Sequence, residues 1–324
     1  HDRGPDHRDH RLRAHHRPET GRRPGPAGLL TPGPMTASPL RILVTGAGGQ
    51  VGSEVAAHLP HHQVIALDRA ACDLSDRHSV EQAVAAAAPA AVVNCAAWTD
   101  VDGCEADPER AVLVNALGVR HLAAACARAG AHLVHVSTDY VFSGDKDGPY
   151  DEWDEPGPRS VYGRSKLGGE LELARHAGSW AVARTSWVFG RRGRNFVDTI
   201  VGRARDGAPL RVVDDQRGCP TYAPDLAGAL ARLAVGRLPG VYHVTNQGAC
   251  TWHDLAAAAV ELAGLDPSVV GTMTTAELGR PAPRPANSVL SGAAWAAAGL
   301  PPLRPWREAL AEKMTSAVAA GRQP

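Results

Sequence analysis

Thr45-Gly46-Ala47-Gly48-Gly49-Gln50-Val51-Gly52 decides the reading of this chain. It follows a short apolar run, residues 41–45, and opens a segment, 50–59, that reads as a helix ended by Pro60. Gly46, Gly49 and Gly52 stand three apart. That spacing permits a tight turn and lets backbone approach a pyrophosphate. The helix N-terminus then supplies free N–H groups and partial positive charge. A glycine triplet is weak evidence alone, but between a strand and a helix it is specific. Gly46, Gly48, Gly49, Gln50 and Val51 are the expected contacts to a dinucleotide. Asp68 lies 22 residues beyond Gly46 and ends the next strand, where a carboxylate can accept from both ribose hydroxyls, which favours NAD. Arg69 follows at once and can meet a 2′-phosphate, which favours NADP. Asp73 and Leu74 fall where the chain passes near the adenine. The expected cofactor is NADPH or NADH.

Outward from this loop, strand and helix alternate. Strands are expected at 41–45, 63–67, 91–95, 132–136 and 180–185, and helices at 50–59, 76–88, 108–129 and 161–176. The run at 91–95 is uninterrupted, as befits a strand buried on both faces of a parallel sheet. Asp107 fits the N-cap of the 108–129 helix, Pro108 its first turn and Gly130 its C-terminal stop. Ala111, Val114, Gly118, Leu122 and Ala125 line one face of it. This rhythm predicts an α/β fold with a doubly wound parallel sheet. Beyond it, Pro and Gly crowd 207–224 and 279–285, with helices expected at 225–234, 253–263 and 306–319. The expected organisation is a Rossmann domain over 39–190, with part of 210–245 returning to the sheet, and a smaller C-terminal substrate-binding lobe over 191–320.

The 324 residues carry 34 Lys+Arg against 34 Asp+Glu. Zero net charge argues against nucleic-acid binding through a basic field. No stretch approaches the roughly 18 apolar residues of a membrane helix. Residues 1–34 hold seven Arg, four acids, six Pro and five Gly, and no Ile, Val, Phe, Tyr or Trp. Such a segment cannot bury enough apolar surface to offset its ordering entropy. Residues 1–38 are therefore expected to be a disordered tail, with Met35 as the native start. Cys72, Cys95, Cys104, Cys126, Cys219 and Cys250 form no C-x-x-C pair, so reduced thiols in a cytoplasmic protein are expected.

Ser137-Thr138-Asp139 ends the fourth strand, at the carboxyl edge where such sheets bind ligands. Tyr162 and Lys166 are four residues apart on a helix and so share a face. A tyrosine hydroxyl, with a pKa of about 10, is a poor acid or base near neutrality, and a neighbouring ammonium brings it toward working pH. A hydroxyl from Thr138 can hold the reacting oxygen. Thr138, Tyr162 and Lys166 are the catalytic candidates.

Longer stretches surround these residues: Asn94-Cys95-Ala96-Ala97-Trp98-Thr99-Asp100-Val101-Asp102, Ser137-Thr138-Asp139-Tyr140-Val141-Phe142, Val161-Tyr162-Gly163-Arg164-Ser165-Lys166-Leu167 with Gly169-Glu170, and Arg184-Thr185-Ser186-Trp187-Val188. Gln216-Arg217-Gly218-Cys219-Pro220-Thr221 and Arg284-Pro285-Ala286-Asn287-Ser288-Val289-Leu290 complete the set. Through them the chain, from about Leu40 to Leu303, resembles the extended short-chain dehydrogenase/reductase family, and within it the dTDP-4-dehydrorhamnose reductases. The resemblance implies hydride transfer from NAD(P)H to C4 of dTDP-4-dehydro-β-L-rhamnose, giving dTDP-β-L-rhamnose in dTDP-rhamnose biosynthesis. It implies that Tyr162 donates the proton, that Lys166 tunes Tyr162 and binds the nicotinamide ribose, and that Thr138 bonds the reacting oxygen. Ala96, Ala97 and Trp98 would lie along the cofactor. Thr99, Val101, Asp139, Tyr140 and Trp187 would line the sugar pocket, with Arg284 and Ser288 as further substrate contacts. Asn115 matches a residue that supports the lysine through water. Ser143, Ser291 and Trp98 depart from the usual Asp, Asp and Tyr, which leaves the sugar open while the reaction class stands.

Other charges have plainer readings. Arg191, Arg192 and Arg194 fit either a diphosphate contact or a solvated loop. Asp151, Glu152, Asp154 and Glu155 read as a solvated loop rather than a metal site. Mg2+ dependence, which the resemblance allows, finds no compact acidic cluster. The expected partner is a dTDP-sugar, with no nucleic acid and no membrane, in a monomer or homodimer. Two alternatives remain at this point: a 4-ketoreductase for another dTDP-deoxysugar, and a non-catalytic regulatory subunit of the methionine adenosyltransferase type.

Overall fold

Six strands build a parallel sheet in this computed structural model, which describes His1 and residues 38–319. They are β1 (Arg41–Thr45), β2 (Gln63–Leu67), β3 (Ala91–Asn94), β4 (His132–Thr138), β5 (Trp180–Thr185) and β10 (Gly240–His243). Their order is β10-β5-β4-β3-β1-β2, with every pairing parallel. The chain steps from β1 out to β2 and back past β1 to β3. Connections therefore leave β1 and β3 toward opposite sides and open a crevice at their carboxyl ends.

Alternate residues of each strand feed two cores. Ile42, Val44, Val93 and Val134 pack with Leu226 and Leu230 of α8 (Ala223–Gly236). Leu43, Val92, Leu133 and Val182 pack with Val80 and Val84 of α2 (Arg77–Ala87) and with Leu122 and Cys126 of α5 (Gly118–Ala129). Burial on both faces is why these strands read as unbroken apolar runs. The fold is of the Rossmann type, and residues 39–319 pack as one unit. The tail expected over 1–38 falls almost wholly outside the described residues.

Two helices differ from expectation. The 50–59 helix shrinks to α1 (Gly52–Val55) followed by a 3-10 turn, Ala56–His58. Gln50 and Val51 stay in the glycine turn, where Gly49 N–H donates to Gly46 O at 3.0 Å and Glu54 N–H to Val51 O at 3.0 Å. The 108–129 helix is interrupted. α4 (Pro108–Val112) passes into a π turn, Leu113–Leu117, before α5 begins. Asp107 caps α4 through Arg110 N–H at 3.0 Å, and Gly130 ends α5 at φ 68°. Asn115 explains the π turn. Its Oδ1 accepts Trp98 N–H at 2.8 Å, and its Nδ2 donates to Trp98 O and to Ser165 Oγ, both at 3.0 Å. The wider turn aims this buried amide at two neighbouring segments at once, a common use of such turns.

Beyond β5 the chain builds short pairings: β6 (Val188–Phe189) with β9 (Thr221–Tyr222), β7 (Leu210–Val213) with β12 (Val270–Met273), and β8 (Arg217–Gly218) with β11 (Cys250–Thr251). Helices α7 (Phe196–Arg205), α9 (Trp252–Leu262) and α12 (Trp306–Ala319) pack around them through Val197, Val201, Leu255, Ala259 and Leu310. Among the described residues no helix is long and apolar enough to cross a membrane.

Candidate active site

Three adjoining cavities run along the carboxyl edge of the sheet. The first, about 430 Å³, lies at the β1–β3 crevice and is lined by Gly46, Gly48, Gly49, Asp68, Arg69, Asp73, Leu74, Ala96, Ala97 and Trp98. It shares Gly49, Cys95 and Ala97 with the second, about 390 Å³, which holds Gln50, Val51, Thr99, Val101, Thr138, Asp139, Tyr140, Tyr162, Lys166 and Trp187. The third, about 450 Å³, shares Thr99, Val101, Tyr140 and Trp252 with the second and adds Arg203, Arg211, Arg280 and Arg284. Apart from Ser288, the residues read separately from the sequence as cofactor contacts, catalysts and sugar contacts thus line these adjoining cavities.

The glycine loop fits a dinucleotide. Gly46 has φ 70°, and a Cβ on it would lie 2.6 Å from Ala96 N, so a side chain here would drive β1 and β3 apart. A Cβ on Gly52 would lie 2.3 Å from Gly46 O. Gly48, in contrast, faces open space, its nearest neighbour being Asp68 Cβ at 4.0 Å. The loop is packed tight beneath and clear above, which is the cradle a pyrophosphate needs. At the far end of the first cavity, Asp68 Oδ1 accepts Ala71 N–H at 3.1 Å, and the exposed Arg69 reaches Asp73 at 3.3 Å. Arg110 lies over the Trp98 ring at 4.4 Å.

The catalytic candidates converge where β4 ends against α6 (Val161–His176). Ser160 caps α6 by accepting Gly163 N–H at 3.0 Å. A Cβ on Gly163 would sit 2.2 Å from Tyr140 O, so the helix presses on the turn that follows Thr138. The result is that Thr138 and Tyr162 line one cavity. The Tyr140 and Tyr162 rings meet edge to face, centroids 5.6 Å apart. Burial pushes the Tyr162 hydroxyl well above its ordinary value, and the neighbouring Thr138 hydroxyl opposes this. Tyr162 is therefore protonated. Lys166, 1% exposed, is brought down to about 8 chiefly by burial. Asp139 is raised to about 6 by burial, its Oδ1 accepts from Thr138 Oγ1 at 2.9 Å, and its buried Oδ2 has no partner. Glu170 clamps α6 to β5 through a fully buried ion pair with Arg184 at 2.7 Å.

Trp187 holds φ 47°, a left-handed conformation costing about 1–2 kcal/mol outside glycine. Its ring stacks on Trp252 at 3.8 Å and lies flat on Gly218, where a Cβ would come within 2.4 Å of it. Gln216 braces this wall by accepting from Trp252 Nε1 at 3.2 Å and donating to Thr275 Oγ1 at 2.8 Å.

Several expected contacts sit elsewhere. Ser288 does not line the cavities. It is 1% exposed, and its hydroxyl donates to Arg217 O at 3.3 Å. Arg284 lines the third cavity but is held by Asp102 at 3.1 and 3.0 Å. Arg191 is tied to Tyr222 and Glu312, both at 2.9 Å. Asn115, expected to support the lysine through water, bonds Ser165 beside it and Trp98. Glu152 accepts the N–H groups of His243 and Ala294, so the acidic run there serves structure. No group of metal-ligating side chains forms among the described residues. Sequence reasoning missed Asn94, His135 and Trp252. A histidine inside a fully buried strand was the available signal for His135, since a buried polar side chain needs a partner.

Comparison with known proteins agrees with this geometry. A sequence model described as the RmlD substrate binding domain matches residues 40–318. A dTDP-4-dehydrorhamnose reductase of Streptomyces griseus is 45% identical over 294 residues, covering 88% of this chain and 96% of its own length. A probable dTDP-4,6-dihydroxy-2-methyloxan-3-one 4-ketoreductase of Streptomyces antibioticus is 44% identical, covering 88% and 98%. The crystal structure of a dTDP-4-dehydrorhamnose reductase from Bacillus anthracis in complex with NADP superposes with a TM-score of 0.83 at 34% identity, covering 86% of this chain and 99% of that one. The chain belongs to the RmlD substrate binding domain family.

Proposed function

We propose that the chain reduces dTDP-4-dehydro-β-L-rhamnose to dTDP-β-L-rhamnose with NAD(P)H. The observation that carries this is the meeting of Thr138, Tyr162 and Lys166 at the junction between a nucleotide cradle and an arginine-lined cavity. Bound NAD(P)H supplies the hydride. The chain's own residues do the rest. The loop 46–51 holds the pyrophosphate, Asp68 the ribose hydroxyls or Arg69 a 2′-phosphate, Asp73 and Leu74 flank the adenine, and Ala96, Ala97 and Trp98 pack along the dinucleotide. Lys166 binds the nicotinamide ribose. Thr138 donates to the ketone oxygen, and Tyr162 gives its proton as negative charge grows there. A tyrosine kept protonated by its surroundings is suited to that direction of reaction.

Thr99, Val101, Tyr140 and Trp187 shape the sugar pocket. Asp139 offers its unpartnered Oδ2 to a sugar hydroxyl. Arg284 meets the diphosphate through its fork. Residues 39–190 thus hold the cofactor and line much of the sugar pocket, and 191–320 complete the substrate site through Trp252 and the arginines of the third cavity. Such an enzyme works in the cytoplasm.

The Streptomyces antibioticus relative favours a second reading, a 4-ketoreductase for another dTDP-deoxysugar. Both readings share the site, and a purely regulatory protein has no use for its catalytic trio. The test is to mix the protein with NADPH or NADH and enzymatically generated dTDP-4-dehydrorhamnose, following nicotinamide absorbance and product. Cofactor oxidation with formation of dTDP-rhamnose is expected. Oxidation only with a different dTDP-4-keto sugar selects the second reading, and none with any of them overturns both.

A further inference from the structure

Lys166 ends in a buried pocket on β4. Val136 O accepts from its amine at 2.7 Å, and His135 Nε2 lies 3.2 Å from it. The other ring nitrogen of His135, Nδ1, lies 2.9 Å from Asn94 Nδ2. Both His135 and Asn94 are completely buried. Asn94 Oδ1 is fixed from the far side, taking Ala96 N–H at 3.1 Å and the Thr45 hydroxyl at 2.7 Å. A backbone N–H can only donate, so this atom is the carbonyl oxygen and the amide NH2 faces His135.

The rest follows from counting protons. His135 Nδ1 receives an N–H and must offer a lone pair. A neutral imidazole carries one N–H, which then sits on Nε2 and points at Lys166. An ammonium has no lone pair, so Lys-NH3+ would oppose donor to donor. A neutral amine accepts from Nε2–H and still donates to Val136 O.

We propose that His135, locked by Asn94 as its Nε2–H tautomer, is a positioning residue that holds Lys166 against β4 and favours its neutral amine over the ammonium in the ligand-free protein. The other groups around the lysine allow this. Glu170, on the same helix, is engaged by Arg184 of β5 and by Ser137. Cys95, after β3, is held as the thiol by burial, at about 12. Tyr162 is protonated, and Asp139 beyond it faces Thr138. The depression of Lys166 to about 8 comes mainly from burial and agrees with a lysine denied a free acid partner. Lys166 can then gain or lose a proton near neutrality, which an ordinary lysine cannot.

The chain contains only three lysines, Lys146, Lys166 and Lys313, which makes a direct test practicable. Ligand-free full-length protein labelled with 13C at lysine Cε is titrated by NMR, and Lys166 is assigned by its loss in Lys166→Met. A midpoint near 8 is expected. His135→Gln can turn its Oε1 toward an ammonium and should move the midpoint up by about one pH unit or more. Asn94→Asp accepts from Nδ1–H, should flip the tautomer, and should also raise the midpoint. Its added charge acts in the same direction, so 15N-histidine spectra serve to read the tautomer itself. A wild-type midpoint near 10.5, or wild-type His135 found as the Nδ1–H tautomer, overturns the proposal whether or not any variant folds. So does a folded His135→Gln protein with an unmoved midpoint.

The bearing on turnover rests on the catalytic reading of Lys166 given above. The alkaline limb of kcat/KM reports groups of the free enzyme and should move up with the midpoint. A moved midpoint with an unmoved limb breaks that reading of Lys166 and leaves the tautomer lock standing.

Discussion

At the β4–α6 edge the working side chains are enclosed and fixed by one another, whereas around the third cavity they are partly exposed and fixed by acids. Asn94, His135, Thr138 and Lys166 are at most 6% exposed and are bonded to neighbouring strands and to each other. Arg211 is held by Glu277 at 2.7 Å, and Arg280 and Arg284 are held by Asp102 at 3.4 and 3.0 Å. The geometry of the first region is set by protein groups alone. In the second, Arg211, Arg280 and Arg284 engage Glu277 and Asp102, acids with which an incoming anion competes. This is how a chain of zero net charge can hold two anionic nucleotides: recognition depends on local donors rather than on a bulk field.

The sharpest way to break this contrast is Tyr162→Phe. If the inner region serves chemistry, kcat should fall about a hundred- to ten-thousandfold while cofactor affinity, measured by fluorescence titration, stays within a few-fold. Full activity would remove Tyr162 from the mechanism. A smaller effect is expected in the outer region. Arg284→Ala should raise KM for the dTDP-sugar about tenfold, close to 1.4 kcal/mol, with kcat little altered. The variant leaves Asp102 facing the ligand with only exposed Arg280 and the Ala282 N–H for partners. Adding Asp102→Asn should therefore recover part of the loss, as a double-mutant cycle would show. A fall in melting temperature with KM unchanged would make Arg284 structural and erase the distinction between the two regions.

The same contrast explains what the sequence made legible. The glycine loop and the Tyr162–Lys166 spacing are local patterns, each carried by one turn or one helix, and both sit where expected. Asn94 and His135 are 41 residues apart, and Asp102 and Arg284 are 182 apart. No periodicity joins such pairs, because the contact exists only after β3 meets β4 or after the later chain folds over α3 (Val101–Ala106). The π turn at Leu113–Leu117 was hidden for the same reason. Its cause is Asn115 reaching Trp98 and Ser165, with Gly169 so close that a Cβ would lie 2.2 Å from Asn115 O. The motif containing Ser288 was visible, but its role was not, because spacing alone does not say that its N–H and hydroxyl both turn to Arg217 O.

Reduction of the sugar ketone at C4 by this site is tested by following the transferred atom. Reduced cofactor deuterated at the transferable position of its nicotinamide is turned over with dTDP-4-dehydrorhamnose, and the product is examined by NMR and mass spectrometry. One deuterium per product sugar, located at C4, is expected. Turnover that leaves C4 unlabelled, or places the deuterium on another carbon, would contradict it.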